Sequence, residues 1–174
     1  MSNSSPFKPR KIYTRTPLIE SIPLRAYTAN RPIYLKLENT QPSGSFKMRG
    51  ISVLCEHAKT AGYTTMVCAS SGNAGLATAL SCRALGLVCH IVVFKATPES
   101  VREKIRSYGA TVEEVGVVWD ESFAYAVKMT SNSKEKFLVH PFNHPILWSG
   151  HSTMVDEIAE DLGPDVGEFL GLGF

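Results

Sequence analysis

"TTMVCASSGNAGLATALSCRALGLVCHIVVF", Thr64 to Phe94, is the stretch whose reading decides the fold. "TTMVCA" has the character of a short apolar strand, "SSGN" is a turn, and "AGLATALSCRALG" is a helix built mostly from small and aliphatic side chains. The near absence of charge on that helix implies burial on most sides. "VCHIVVF", Val88 to Phe94, is then an almost continuously apolar strand. Strand, helix and strand in this order make one unit of a parallel sheet, with a crossover expected to be right-handed.

The pattern continues in both directions. Upstream, the chain opens irregularly through "TRTPL", and "PIYLKLE", Pro32 to Glu38, alternates Ile33, Leu35 and Leu37 with other residues as a strand does. After the turn residues of "NTQPSGS", Ser45 is placed to cap a helix from about Phe46 to His57, with Ile51, Leu54, Cys55 and Ala58 as its apolar stripe. Downstream, Thr97 is placed to cap a helix with Pro98 at its first position, and Gly109 ends it. "ATVEEV" is a strand, Asp120 caps a helix carrying Phe123 and Val127, and "KFLVH" is a last short strand. A final helix runs from Gly150 to Leu162, with Met154, Ile158 and Leu162 at successive i+4 positions and Gly163-Pro164 as its stop. The expected fold class is therefore α/β, an open parallel sheet with helices on both faces. Such sheets place their sites beyond the carboxyl ends of the strands, where the polar turns Ser43–Lys47 and Ser70–Asn73 both fall, which gives the expectation that they face one cavity.

Composition narrows the function classes. The 174 residues carry 18 basic and 16 acidic side chains, a formal charge of +2, too even for a nucleic-acid footprint. Lys8, Arg10, Lys11 and Arg15 form a small basic cluster that reads as a solvated leader, with organelle targeting as the alternative; without an apolar h-region, the cytosol is the expected compartment. Thr60 to Cys82 is free of charge and long enough to span a bilayer, yet Ser70 to Asn73 interrupts it, so a buried strand and helix explain it better and no membrane partner is expected. Cys55, Cys68, Cys82 and Cys89 show no C-x-x-C spacing and read as buried free thiols. His140 and His144 have i, i+4 spacing, but Pro141 and Pro145 oppose the helix that would align them, so no metal is expected.

Lys47 stands between Phe46 and Met48, an unusual setting for a lysine. A helix N-terminus and partial desolvation both disfavour the ammonium form, which makes the amine a better nucleophile toward a carbonyl and suits Schiff-base chemistry. The bland alternative is a lysine that snorkels from the first turn of a helix into water. Ser43, Gly44 and Ser45 are small enough for a flat ring to approach the backbone, with Phe46 to support it. The second turn, Ser70, Ser71, Gly72, Asn73, Ala74 and Gly75, offers helix N–H groups, hydroxyls and a carboxamide to an anion such as a substrate carboxylate. Taken alone, Gly72 and Gly75 equally allow a tight turn and close packing. Neither the G-x-G-x-x-G fingerprint nor a P-loop ending is present.

"PSGSFKMRG" followed by "SSGNAG" resembles the pyridoxal-phosphate enzymes of the tryptophan synthase β-subunit fold, fold type II, and in particular the serine/threonine dehydratases. "TPESVREKIRSYGATVEEVG" and "HPFNHPILWSGHSTMVDEI" look like the catabolic L-serine dehydratase branch, and the resemblance runs from about Thr16 to Asp165. Cysteine synthases share the architecture with S-V-K-D-R in place of S-F-K-M-R, while threonine synthase-like and racemase relatives remain close. What the resemblance implies is pyridoxal 5'-phosphate held through a Schiff base on Lys47, Phe46 beside its ring, Asn73 on the ring's 3' oxygen, and the substrate carboxylate held by Ser70 to Gly75. The implied reaction converts L-serine to pyruvate and ammonium, and L-threonine to 2-oxobutyrate, as amino-acid catabolism feeding gluconeogenesis in a cytoplasmic, homodimeric enzyme.

The resemblance also implies a division of the chain. Residues 1–47 would be a segment of a larger lobe ending at the cofactor lysine, 48–150 a smaller α/β lobe, and 151–174 the start of a return into the larger lobe. Where the family carries a strand and a run of glycines for the cofactor phosphate, this sequence has "VGEFLGLGF", which gives the expectation of a C-terminal truncation. Apolar side chains near Ile33 and on the last helix, Met154 and Ile158 among them, are then expected to be exposed. Two functions follow: the lyase, or a non-catalytic homologue that binds amino acids weakly or pairs with a full-length enzyme.

Overall fold

A computed structural model describes residues 11–29 and 31–164. The expectations for Lys8, Arg10 and the "VGEFLGLGF" segment lie outside the described residues. Two short strands, β1 (Leu18–Glu20) and β2 (Tyr34–Lys36), flank the helical turn α1 (Ile22–Arg25) and form an antiparallel pair with Leu18 opposite Lys36. A 3-10 turn at Glu38–Thr40 then leads to α2 (Lys47–Thr60). From there strand and helix alternate: β3 (Thr65–Ala69), α3 (Asn73–Leu85), β4 (Val88–Val93), α4 (Glu99–Ser107), β5 (Thr111–Glu114), α5 (Trp119–Ser131), β6 (Lys136–Leu138) and α6 (Pro145–Leu162). The main sheet has four strands in the order β5-β4-β3-β6, and every pairing in it is parallel.

The two-residue period of β3 explains why helices cover both faces. Met66 and Cys68 point into a core shared with Ile51, Leu54, Cys55 and Ala58 of α2 and Ala77 and Cys82 of α3. Val67 and Ala69 point the other way, toward Ala126, Phe123 and Met129 of α5. The α2 stripe is fully buried as its spacing implied. On α5 the spacing misleads at one position: Val127 is exposed, and Ala126 takes the place against the sheet. All four cysteines are free and buried.

Several local expectations are corrected. The "TRTPL" segment is continued by a strand, β1, because Ser21 N–H and Leu37 N–H find the Ile33 and Pro17 carbonyls across the ribbon. Ser45 does not cap α2; its hydroxyl is buried without a partner, while its carbonyl accepts the Met48 N–H. Thr97 is one residue too early: Pro98 is the cap position, and the Thr97 hydroxyl donates instead to the Phe94 carbonyl at 2.7 Å. Asp120 lies inside the first turn of α5, whose cap position is Val118, and Glu121 reaches back to the Val117 N–H at 2.6 Å. Helix α6 begins at Pro145, five positions ahead of Gly150, because proline suits the first helical position and His144 Nδ1 caps it by accepting the Ile146 N–H. It therefore runs across the expected boundary at residue 150.

Met154 and Ile158 are half-buried, contrary to expectation; on the same helix Trp148 and Val155 are the exposed apolar residues. The reason is the rotation that Gly150 imposes. A Cβ at Gly150 would lie 2.6 Å from Gly50 Cα, so the two helices cross backbone to backbone there. Leu147, Gly150 and Glu157 consequently face inward, Met154 and Ile158 flank that seam, and Val155 turns outward. In the β1–β2 ribbon Ile19, Tyr34 and Leu35 are exposed, in line with the expectation for that region.

Candidate active site

Lys47 is positioned by the turn that precedes it. Gly44 donates its N–H to the Gln41 carbonyl at 2.7 Å and sits at φ +82°, a left-handed conformation that glycine adopts without strain. The chain then enters α2 at once, with Lys47 as its first residue. The amine donates to the Pro141 carbonyl at 2.9 Å and lies 5.1 Å from the Phe46 ring centre and 4.8 Å from that of Phe142. Burial pushes its pKa below the ordinary lysine value, against a smaller opposing effect of Cys68. A snorkelling lysine would hold its ammonium in water; this one ends between two aromatic faces and a carbonyl.

The second turn leaves β3 at Ala69. Ser70 N–H donates to the Val92 carbonyl at 3.1 Å, the Ser71 and Thr97 hydroxyls are 2.7 Å apart, and Gly72 N–H donates to Ser70 Oγ at 3.3 Å. Helix α3 starts at Asn73 with no side-chain cap. Its first amides are therefore available to an anion. Asn73 is exposed, whereas Ala74 and Gly75 are buried. A Cβ on Gly75 would lie 2.6 Å from the Ser70 carbonyl oxygen, so this glycine lets the helix start against the turn.

The two turns are brought to one end of the sheet. Trp119 links them: its Nε1–H donates to the Ala69 carbonyl at 2.9 Å, and its ring meets Phe142 edge-on at 6.1 Å, while Phe142 covers Lys47. Trp148 Nε1–H holds the Phe142 carbonyl at 2.9 Å. Cys68, next to Ala69, lies near enough to Lys47 to affect its charge, and burial pushes the Cys68 thiol up to about 12. Pro141, Phe142 and Trp119 were not expected at the site from the sequence, where Pro141 was read only as a helix breaker; the signal for the first two was the proximity of "HPFNHP" to the end of β6.

Arg49 was also missed. Its side chain is fully buried, with Nη2 2.7 Å from Glu38 Oε1 and from Glu157 Oε2, and Nη1 2.7 Å from Glu157 Oε1. Lys36 adds a contact to Glu157 at 2.9 Å. Burial by itself would raise the Glu157 carboxyl, but Arg49 and Lys36 override it and hold the group at about 2. This network ties the β1–β2 region and α6 to the first turn of α2. His151 belongs to the same junction: its Nδ1 accepts the Gly50 N–H at 3.2 Å, and its ring meets Phe46 edge-on at 5.0 Å.

The model of the family described as pyridoxal-phosphate dependent enzyme matches residues 10–171. Among curated relatives, the mouse (Mus musculus) protein named L-serine dehydratase/L-threonine deaminase is 40% identical over 159 residues, 91% of this chain and 48% of the relative. The crystal structure of a fungal L-serine ammonia-lyase from Rhizomucor miehei superposes with a TM-score of 0.78 at 35% identity, covering 87% of this chain and 48% of that one. Maize serine racemase gives a TM-score of 0.78 at 26% identity over 86% of this chain and 45% of that one. The chain thus spans about half the length of the curated relatives it matches.

Proposed function

We infer the function from one premise: the chain belongs to the family of pyridoxal-phosphate dependent enzymes. The reading best supported is an L-serine ammonia-lyase that also accepts L-threonine, giving pyruvate or 2-oxobutyrate and ammonium. The observation that carries it is the half-buried Lys47 amine, its ammonium form disfavoured, at the same sheet end as the uncapped start of α3. The residues present fit the aldehyde-bearing ring of the cofactor. Gly44 and Gly72 have open space where a Cβ would sit, and Phe46 and Phe142 supply apolar faces. Among the described residues no run of glycines is present to cradle a phosphate.

When bound, pyridoxal 5'-phosphate supplies the carbonyl that captures an amine and a ring that withdraws electrons from the substrate Cα. Lys47 is the residue that would hold it, with Phe46 beside the ring and Asn73 directed to its 3' oxygen. The N–H groups of Asn73, Ala74 and Gly75, together with Gly72 and the Ser70 and Ser71 hydroxyls, would bind the substrate carboxylate. With its pKa lowered by burial, the Lys47 amine, once released by the substrate's own amine, would be suited to take the Cα proton, and the β-hydroxyl would leave as water with an equivalent proton. Trp119 and Phe142 would keep water from the amine during that transfer.

The domain reading is likewise our proposal: residues 1–47 and 151–174 as parts of a larger lobe, 48–150 as the smaller one. It is supported by the position of the whole parallel sheet inside 48–150 and of the separate ribbon before it. No helix among the described residues is long and apolar enough to cross a membrane. We place the activity in the cytoplasm, in a homodimer, with pyruvate passing toward gluconeogenesis. The second reading, a non-catalytic homologue that binds amino acids weakly or pairs with a full-length enzyme, is favoured by the exposed apolar ribbon.

The deciding experiment adds pyridoxal phosphate to the purified chain, reduces with borohydride, and maps the modified lysine against Lys47→Ala. Labelling concentrated on Lys47, followed by pyruvate formation from serine, supports the lyase. Specific labelling without turnover supports the second reading, and labelling equal to that of the variant would sink both roles for Lys47.

A further inference from the structure

We propose that His151, on α6, is a positioning residue for Lys47: its Nδ1 anchors the first turn of α2 through the Gly50 N–H, and its ring braces Phe46. The first amides of a helix need acceptors from outside the helix. At the start of α2 the Ser45 and Phe46 carbonyls accept the Met48 and Arg49 N–H groups at 3.2 and 3.0 Å, while the neighbouring Ser45 hydroxyl, the expected cap, makes no hydrogen bond. An imidazole from another helix adds a side-chain acceptor to the next amide of that turn, the Gly50 N–H, at 3.2 Å.

This contact exists because two glycines permit it. A Cβ on Gly50 would lie 2.6 Å from His151 Cε1, and one on Gly150 would lie 2.6 Å from Gly50 Cα. With Nδ1 accepting, a neutral ring must carry its proton on Nε2. That atom is buried without a hydrogen-bond partner. Burial and the positive charges of Lys47 and Arg49 push the His151 pKa down to about 4, against smaller opposing effects of Glu38 and the Phe46 carbonyl. The ring is therefore neutral over the physiological range and keeps the lone pair that the anchor requires.

A histidine that only fills space could be replaced by leucine of similar bulk; an anchor needs an acceptor at the Nδ1 position. The distinction matters for Lys47, which sits in the turn that His151 holds. Loss of the anchor would fray that turn and let water reach the amine, relieving the desolvation that lowers its pKa. The catalytic meaning of this positioning rests on the role proposed above for Lys47, whereas the anchoring itself does not.

The test uses the full chain without cofactor. Lysine side chains carrying a carbon label are titrated by NMR in the wild type, His151→Asn and His151→Leu, with melting temperatures recorded for each. Asparagine can place its Oδ1 where Nδ1 stood, so His151→Asn is expected to keep the lowered Lys47 titration. His151→Leu is expected to shift it up toward the ordinary lysine range. An unchanged Lys47 in the leucine variant, or equal shifts in both variants, overturns the proposal. Should the leucine variant fail to fold, nitrogen shifts of the His151 ring in the wild type decide. An unprotonated Nδ1 at neutral pH is required, and a proton on Nδ1 excludes the anchor. Because no step uses pyridoxal phosphate, failure of the chain to take up that cofactor leaves this result unaffected.

Discussion

At the residue scale, burial has opposite consequences for Lys47 and Arg49, two residues apart on the same turn. The Lys47 amine has one carbonyl and two aromatic faces for company, so desolvation makes its neutral form easier to reach. Amine-directed reagents at neutral pH should therefore modify Lys47 faster than the exposed Lys59 or Lys95, as peptide mapping over time would reveal. Arg49, by contrast, keeps its charge because Glu38 and Glu157 surround it. Arg49→Met would leave Glu38 without its cation and Glu157 with Lys36 alone in a nearly dry setting, at a cost of about 3–5 kcal/mol in denaturant unfolding. Glu157 adds a pH signature. Its pKa falls from an ordinary 4.5 to about 2, so its contribution is present above 4.5 and is lost as pH drops through about 2. Thermal melts of Glu157→Gln should show a shallower acid limb in that window; a limb as steep as wild type would assign acid unfolding to other carboxylates.

At the element scale, the crossing of α2 and α6 sets where both the site lysine and His151 stand. Backbone atoms, which cannot rotate out of the way, occupy the space that a side chain on Gly150 would need. Gly150→Ala should destabilise the fold by about 1–3 kcal/mol through overpacking. It should also weaken the protection of the Gly50 amide in hydrogen exchange, which a purely local defect on α6 would spare. Gly75→Ala tests the other turn, since its Cβ would meet the Ser70 carbonyl oxygen at 2.6 Å. The elements themselves were legible: strand and helix alternation follows from local periodicity, and the stripe Ile51, Leu54, Cys55 and Ala58 is buried as spaced. Caps were not. Ser45, Thr97 and Asp120 all have the right chemistry, yet the observed cap positions are Phe46, Pro98 and Val118, because long-range contacts decide where each chain segment turns.

At the scale of the whole molecule, the parallel sheet has apolar clusters on both faces, while the β1–β2 ribbon leaves Ile19, Ile22, Leu24, Tyr27, Tyr34 and Leu35 exposed. Charged replacements at Ile22 and Tyr27 should reduce binding of an apolar-surface dye while changing stability by no more than about 0.5 kcal/mol. A large loss of stability would mean that these side chains are packed in solution. The sequence by itself determined the order of elements from β2 onward, the α/β class and the two polar turns, Ser43–Lys47 and Ser70–Gly75. Each of these depends on residues close together in the chain, where periodicity and turn chemistry act. Only the tertiary structure decided that Lys47 meets Pro141 and Phe142, that Gly50 meets His151, and that Arg49 meets Glu157 across 108 positions. Partners so far apart leave no local pattern; they are selected by how α2, α6 and the sheet pack, which is a property of the folded chain.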